Sequence, residues 1–308
     1  MMYFVEKLLN SIQEKHSVVC MGLDPRLNQE GEIPTYLIKE LEDPSNIITE
    51  FNKQLIDKTC DLIAVIKPQI AFYEKYDALD ALKETIKYAQ KNDLLVILDS
   101  KRNDIGSTSK AYADATFKVY GADACTINPF FGYDGIEPYL KHYKQKGLFI
   151  LVKTSNQSSK EFQNLFSARL ENVPDSTFSI RKESVELERN YIHIAKMINR
   201  WAIDEKVFLN YHNLGAVVGA THPQELKNLR DVLSNSFILM PGFGAQGATV
   251  KDIVNGFHDN GLGGIINSSR GIMFAYNKSK IYSAEKFGEA AREEIIKMNV
   301  NINKEINL

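Results

Sequence analysis

The 308-residue sequence predicts an α/β protein: a single (β/α)8 barrel of the TIM type over residues 1–308, with an insertion after the fifth strand. Three observations carry that prediction. Eight short, near-continuous apolar runs recur along the chain, the pattern of parallel strands buried on both faces. Segments with helical spacing of apolar residues lie between them. Each run ends in polar, Gly or Pro residues, as barrel strands do where they pass into functional loops.

The runs, in order, are "SVVCMGLDP" from Ser17, "LIAVIKPQ" from Leu62, "LLVILDSK" from Leu94 and "ADACTINP" from Ala122. They continue with "LFILVKTS" from Leu148, "LGAVVGAT" from Leu214, "FILMPGFG" from Phe237 and "GGIINSSRG" from Gly263. Helical stripes follow from Ile48, Phe51 and Leu55, and from Leu79, Leu82, Ile86 and Ala89. Leu187, Tyr191, Ile194, Ile198 and Trp201 form a third, and Phe287, Ala291, Ile295 and Met298 a fourth. Each stripe reads as core packing. A doubly wound open sheet would show the same alternation, but it needs edge strands, and no run is clearly polar.

One connection is long, from Ser155 to Asn213. Residues 156–182 of it show no firm period and read as a surface insertion, with a helix expected from near Glu183. The end, "NVNINKEINL", reads as a helix tail or a frayed segment.

Lys and Arg number 37 against 39 Asp and Glu, a formal net charge of -2, so no global field favours nucleic acid or an acidic membrane. Any anionic ligand must be held by local groups. Three widely spaced cysteines, Cys20, Cys60 and Cys125, form no CxxC pair and argue against a disulfide framework. The amphipathic start, interrupted by Glu6 and Lys7, is not a signal peptide, and no apolar run approaches the roughly 20 residues of a membrane span. A cytoplasmic protein is expected. The six histidines form no HxH or HExxH pattern, so no metal is expected, and there is neither a G-x-S-x-G elbow nor a Walker A loop.

In a barrel of this type the chemistry sits at the C-terminal ends of the strands. There the chain offers Asp24, Lys67, Asp99 with Lys101, Asn128, and Lys153 with Thr154 and Ser155. The seventh and eighth runs end in "PGFGAQG" and "NSSRG". Asp99 and Lys101, two apart, are expected on the same side of the third strand, with Lys67 beside them. Opposite charges packed in this way stabilise each other's ionised forms, in a structural ion pair or a catalytic one. Asp104 falls in the loop before a helix, where the macrodipole favours a carboxylate. The glycines of "PGFGAQGA" let backbone N–H groups approach an anion, and Arg270 suits bidentate phosphate recognition.

These residues resemble a known family. "DSKRNDIGST" has the D-x-K-x-x-D-I pattern of the orotidine 5'-phosphate decarboxylases, and "GLDPR", "IKPQIAFYE", "LVKTSN", "VVGAT", "PGFGAQG" and "SSRG" match them in order, over about Val18 to Ala275. The resemblance implies cofactor-free conversion of orotidine 5'-monophosphate to uridine 5'-monophosphate and carbon dioxide by a homodimer with shared active sites. It implies a catalytic array of Lys67, Asp99, Lys101 and Asp104, the last entering the partner's site with Ile105 and Thr108. Asp24 and Lys67 would bind the ribose, and Ser155 would contact the pyrimidine. Gln246, Arg270 and the backbone of Gly271 would hold the phosphate, with Pro241, which opens the glycine loop, among the substrate-binding positions. Asn128 and Gln69 stand near the site by position, without an assigned role. A metal-dependent keto-sugar-phosphate decarboxylase shares the D-x-K-x-x-D pattern, but needs an acid where this chain has Lys67. A non-catalytic nucleotide-binding barrel is the other alternative.

Overall fold

The structure, a computed structural model, describes residues 2–27, 32–168, 186–244 and 247–308. Most of the insertion, Glu183 and Gln246 lie outside the described residues.

Eight parallel strands close into a barrel in sequence order. They are β1 (Val19–Leu23), β2 (Val65–Pro68), β3 (Leu95–Leu98), β4 (Ala124–Ile127), β5 (Gly147–Lys153), β6 (Leu214–Val218), β7 (Ile238–Pro241) and β8 (Gly264–Ser268). Seven of the eight predicted runs contain one of them whole, and the fifth contains all but Gly147. The strands are buried throughout except at Leu151 and Pro241, which is why they read as continuous rather than alternating apolar sequence. Val19 pairs with Ile266 and closes the cylinder, leaving no open edge. The open-sheet alternative is thereby excluded. A register shift between Leu151 and Lys153 bends β5 against β6, next to the start of the insertion.

The helical stripes bury as their spacing predicts. Helix Pro44–Thr59 covers Ile48, Phe51 and Leu55, and helix Leu79–Lys91 covers Leu82, Ile86 and Ala89. Helix Phe287–Ile306 covers Phe287, Ala291, Ile295 and Met298 and continues through Ile302 and Ile306. The C-terminal segment is therefore packed helix, not a frayed end. Phe51 and Phe287 stack at 4.8 Å between centroids.

The long connection departs from expectation. Helix Asn190–Trp201 buries Tyr191 and Ile198, but Leu187 precedes it, and Glu188–Arg189 instead pairs antiparallel with Phe166–Ser167. That short ribbon closes the root of the insertion.

Helix Phe4–Lys15 lies across the N-terminal mouth of the barrel. The Phe4 N–H donates to the Gln145 carbonyl, and the Val5 N–H donates to Asn213 Oδ1, both just ahead of strands. A Cβ on Gly147 would meet the Phe4 ring at 2.3 Å. With that end sealed by apolar side chains, the polar residues are left to the opposite rim.

Candidate active site

Lys67 is buried within β2, and Asp99 follows β3 directly, its N–H donating to the Pro68 carbonyl at 2.9 Å. The neighbouring strands thus bring the Lys67 ammonium 2.6 Å from Asp99 Oδ2. The Lys101 ammonium donates to the other oxygen, Oδ1, which also accepts the Thr126 hydroxyl of β4 at 2.8 Å. One buried carboxylate is therefore held between two ammoniums. Burial alone would push the Asp99 carboxyl up, but Lys67 and Lys101 hold it well below the usual carboxylate range. Burial likewise opposes the charge on Lys67, and the carboxylates of Asp99 and Asp24 outweigh it, keeping Lys67 ionised above an ordinary lysine.

Lys101 reaches Asp99 by a different route from the one the strand period implies. β3 ends at Leu98, and Lys101 takes a left-handed backbone, φ 54°. Such a conformation costs a non-glycine residue about 1 kcal/mol or more. Thr126 in β4 and Asn128 just after it offset that cost: the Lys101 N–H donates to Thr126 Oγ1 at 3.1 Å, and its carbonyl accepts from Asn128 Nδ2 at 3.1 Å. Its side chain is 43% exposed, while those of Lys67 and Asp99 are 6% and 9% exposed. Lys101 faces the open rim and the other two are packed beneath it.

Thr126 is the residue that sequence reasoning missed. It sits two positions before Asn128 in "ADACTINP", and its hydroxyl serves both Asp99 and the strained Lys101 amide. The same-side period of β4, read from Asn128, was the available signal. Gln69 caps helix Ile70–Lys75 by accepting from the Ala71 N–H at 3.4 Å, a structural role.

Asp24 directly follows β1, and its Oδ1 is buried without a hydrogen-bond partner among the described residues. An acceptor in that state costs about 1–3 kcal/mol unless a ligand supplies a donor. On the far side of β1, Arg270 opens the short helix Arg270–Met273, followed by Gly271. With Gly244 and Ser268 they line a cavity of about 510 Å³. Glu32 lines the same cavity, and the Arg270 guanidinium, with Arg26, counters the burial that pushes the Glu32 carboxyl up. Pro241 ends β7, and its carbonyl accepts from the Ala220 N–H at 2.9 Å. Gly244 has φ 68° and Gly247 φ 89°, so the loop after β7 runs through left-handed positions that favour glycine. Gln246, between them, falls outside the described residues.

Asp104, Ile105 and Thr108 are not drawn into this cluster. Asp104 Oδ1 accepts from the adjacent Ile105 N–H at 2.7 Å, Ile105 is 57% exposed and Thr108 is exposed. The turn Tyr133–Gly135 packs against them: a Cβ on Gly135 would meet the Asp104 carbonyl at 3.3 Å. The same Cβ would meet the Phe131 Cβ at 2.8 Å, and Ile105, Phe130, Phe131 and Tyr133 all expose apolar surface. Ser155 follows β5, close to β6: a Cβ on Gly219 would meet Ser155 Cα at 2.7 Å. Among the described residues no group of three or more His, Cys, Asp or Glu side chains could hold a metal ion.

Comparison with known proteins gives a consistent result. The model of the Orotidine 5'-phosphate decarboxylase / HUMPS family matches residues 17–284. The orotidine 5'-phosphate decarboxylase of Petrotoga mobilis is 38% identical over 306 residues, 98% of each chain. That of Clostridium tetani is 38% identical over 308 residues, 98% of this chain and 99% of its own. The solved structure of Leishmania donovani OMP decarboxylase has a TM-score of 0.75 at 27% identity, covering 100% of both chains.

Proposed function

The chain belongs to the orotidine 5'-phosphate decarboxylase family, and from that premise we propose how its own residues carry out the reaction. The enzyme is a carboxy-lyase of pyrimidine biosynthesis that converts orotidine 5'-monophosphate to uridine 5'-monophosphate and carbon dioxide. One observation carries the assignment of roles: a buried carboxylate fixed between two ammoniums, only one of which faces the rim.

Loss of carbon dioxide from C6 leaves an electron pair in the plane of the pyrimidine ring, poorly delocalised. Charge placed before the reaction stabilises it without reorganisation during the step. In this reading Lys101 stabilises the developing carbanion and then protonates C6. The electrons of the C6–carboxylate bond stay on C6 and take up the Lys101 proton. Asp99 aims the Lys101 ammonium and crowds the departing carboxylate. Lys67 keeps Asp99 ionised, and with Asp24 binds the ribose hydroxyls. The buried unpartnered oxygen of Asp24 suits a hydroxyl donor. Ser155 contacts the pyrimidine. Arg270, the Gly271 N–H and Gln246 hold the phosphate at the loop that opens with Pro241. Their binding energy lowers the barrier although they lie far from C6. No step in this scheme draws on a cofactor.

The working unit in this reading is a homodimer in the cytoplasm. Asp104, Ile105 and Thr108 reach the partner's site, and the apolar face of Ile105, Phe130, Phe131 and Tyr133 is covered by the second copy. Two facts support it: Asp104 is not part of its own chain's charge cluster, and this face is exposed in the single chain. No described helix is long and apolar enough to cross a membrane, and all three cysteines are free.

The test is turnover of orotidine 5'-monophosphate in excess chelator, followed by pyrimidine absorbance. Stoichiometric uridine 5'-monophosphate is expected. Turnover that returns only when metal is restored would overturn the side-chain mechanism.

A further inference from the structure

Thr154 and Ser155 follow the bent strand β5, and the polar groups of Thr154 are all engaged. Its N–H donates to Gln163 Oε1 at 2.9 Å, and Gln163 Nε2 donates back to its hydroxyl at 2.9 Å. That hydroxyl in turn donates to Asn156 Oδ1 at 2.6 Å. The Thr154 carbonyl accepts from His222 Nε2 at 3.1 Å, which makes Nε2 the protonated nitrogen. One amide therefore grips a single residue at two points, which fixes both its backbone and its χ1.

Gln163 is itself anchored. Its N–H donates to the Ser159 carbonyl at 2.9 Å, and its carbonyl accepts from the N–H of Tyr191, at the start of helix Asn190–Trp201. The Ser159 hydroxyl accepts from the buried Lys153 ammonium of β5 at 2.6 Å. The brace thus runs from Lys153 at the end of β5 through Ser159 and Gln163 and returns to Thr154, the residue after the strand. Burial pushes the Lys153 ammonium down, opposed by Glu225, and the Ser159 oxygen is its hydrogen-bond acceptor. This circuit spends a buried lysine, a serine and a glutamine on the one residue that precedes Ser155.

We propose that Gln163, at the root of the insertion, is a positioning residue for the pyrimidine ring that acts through Thr154 on Ser155. The inference rests on the reading of Ser155 as the base contact. On its other side Ser155 is already confined: Gly219 lies so close that a Cβ there would meet the Ser155 Cα at 2.7 Å, and the Thr221 hydroxyl donates to the Ser155 carbonyl at 3.5 Å. The Gln163 grip removes the remaining freedom. A serine that must meet a planar base gains from such prior ordering, since about 1 Å of misplacement near the chemistry can cost up to a hundredfold in rate.

The test is a double-mutant cycle in the full chain, with Gln163→Ala, Ser155→Ala and the pair. Gln163→Ala is expected to lower kcat/KM for orotidine 5'-monophosphate roughly tenfold, and to do so only when Ser155 is present. Inhibition by ribose 5-phosphate, which has no base, should not change. Gln163→Glu should retain most activity: its carboxylate can still accept from the Thr154 N–H, and the Thr154 hydroxyl can turn its proton from Asn156 to the carboxylate while the Asn156 amide flips to donate in return. That variant also covers the case in which Gln163→Ala does not fold. An equal loss from Gln163→Ala with and without Ser155 overturns the inference alone. So does a loss in Gln163→Glu as large as in Gln163→Ala. A Ser155→Ala enzyme with unchanged kcat/KM overturns the base-contact reading, and this inference with it.

Discussion

The Ser269 hydroxyl packs so closely on Gly22 that a Cβ built on Gly22 would stand 1.9 Å from it, and 2.9 Å from the Ser269 Cβ. Gly22 lies in β1, opposite Lys67 in register, and Ser269 immediately precedes Arg270. One glycine therefore joins the strand that leads into Asp24, the proposed ribose contact, to the turn that leads into Arg270, the proposed phosphate contact.

Gly22→Ala should push Ser269 outward and carry Arg270 with it. Overpacking of this kind costs about 1–3 kcal/mol. The expected result is a modestly less stable enzyme whose inhibition by uridine 5'-monophosphate weakens roughly tenfold or more, in the same direction as Arg270→Ala. Unchanged inhibition in Gly22→Ala would detach the β1–Ser269 contact from phosphate binding.

Lys101→Met should abolish measurable turnover and leave the fold intact, because the side chain is partly exposed and its removal still leaves Asp99 paired with Lys67. Asp99→Asn should lose turnover and stability together. It strands the buried Lys67 charge, at a cost of about 3–5 kcal/mol. Urea unfolding of the two variants separates these roles. An Asp99→Asn protein as stable as the parent would contradict the buried pair.

The Asp99 carboxyl is held below its unfolded value, so its stabilisation is complete above the ordinary carboxylate pKa of about 3.9 and is lost as pH falls toward the folded value. The parent should therefore lose its stability advantage over Asp99→Asn progressively in acid below that point.

His212 sits beside β6 at the sealed end of the barrel, and its Nδ1 accepts from the Leu214 N–H at 3.3 Å. Burial lowers its pKa to about 4. Between an unfolded value of about 6.5 and that folded value, the unfolded chain binds the proton and the native protein does not. Stability should fall as pH drops through this window, by up to about 3 kcal/mol. His212→Asn keeps an acceptor oxygen for Leu214 but has no titrating ring. Its stability should be flatter from pH 6.5 to 4, read by urea unfolding. Identical slopes in the two proteins would mean that another group governs the acid limb.

Mixing Lys101→Met with Asp104→Ala should restore turnover. If sites are shared across a dimer, each heterodimer assembles one site with both residues intact. About a quarter of parent activity is expected at full exchange of equal amounts, since half the dimers are mixed and half their sites are whole. No recovery, with subunit exchange verified by mass spectrometry, would place Asp104 within its own chain's chemistry.

Much of the barrel was legible in the sequence because burial of parallel strands on both faces leaves a direct trace, eight apolar runs. The alternation with helical stripes then restricts the topology, and the charges at the run ends point to the catalytic rim. Val65 and Ile66 lead into Lys67, and Leu95 to Leu98 into Asp99, and neither lysine nor aspartate could be left inside such a wall without a partner. By itself the sequence determined the strand count, the rim and the residue types gathered there. What it did not carry was the path of the chain where backbone and side chain compete. The left-handed turn at Lys101 depends on Thr126 and Asn128, which lie some 25 residues away and reach it only once β3 and β4 are paired. The grip of Gln163 on Thr154 likewise spans a segment with no period, because side-chain hydrogen bonds need proximity and not repetition. Closure of the barrel, the strained lysine and the brace behind Ser155 were decided by tertiary structure, since each rests on contacts between elements that the local pattern does not encode.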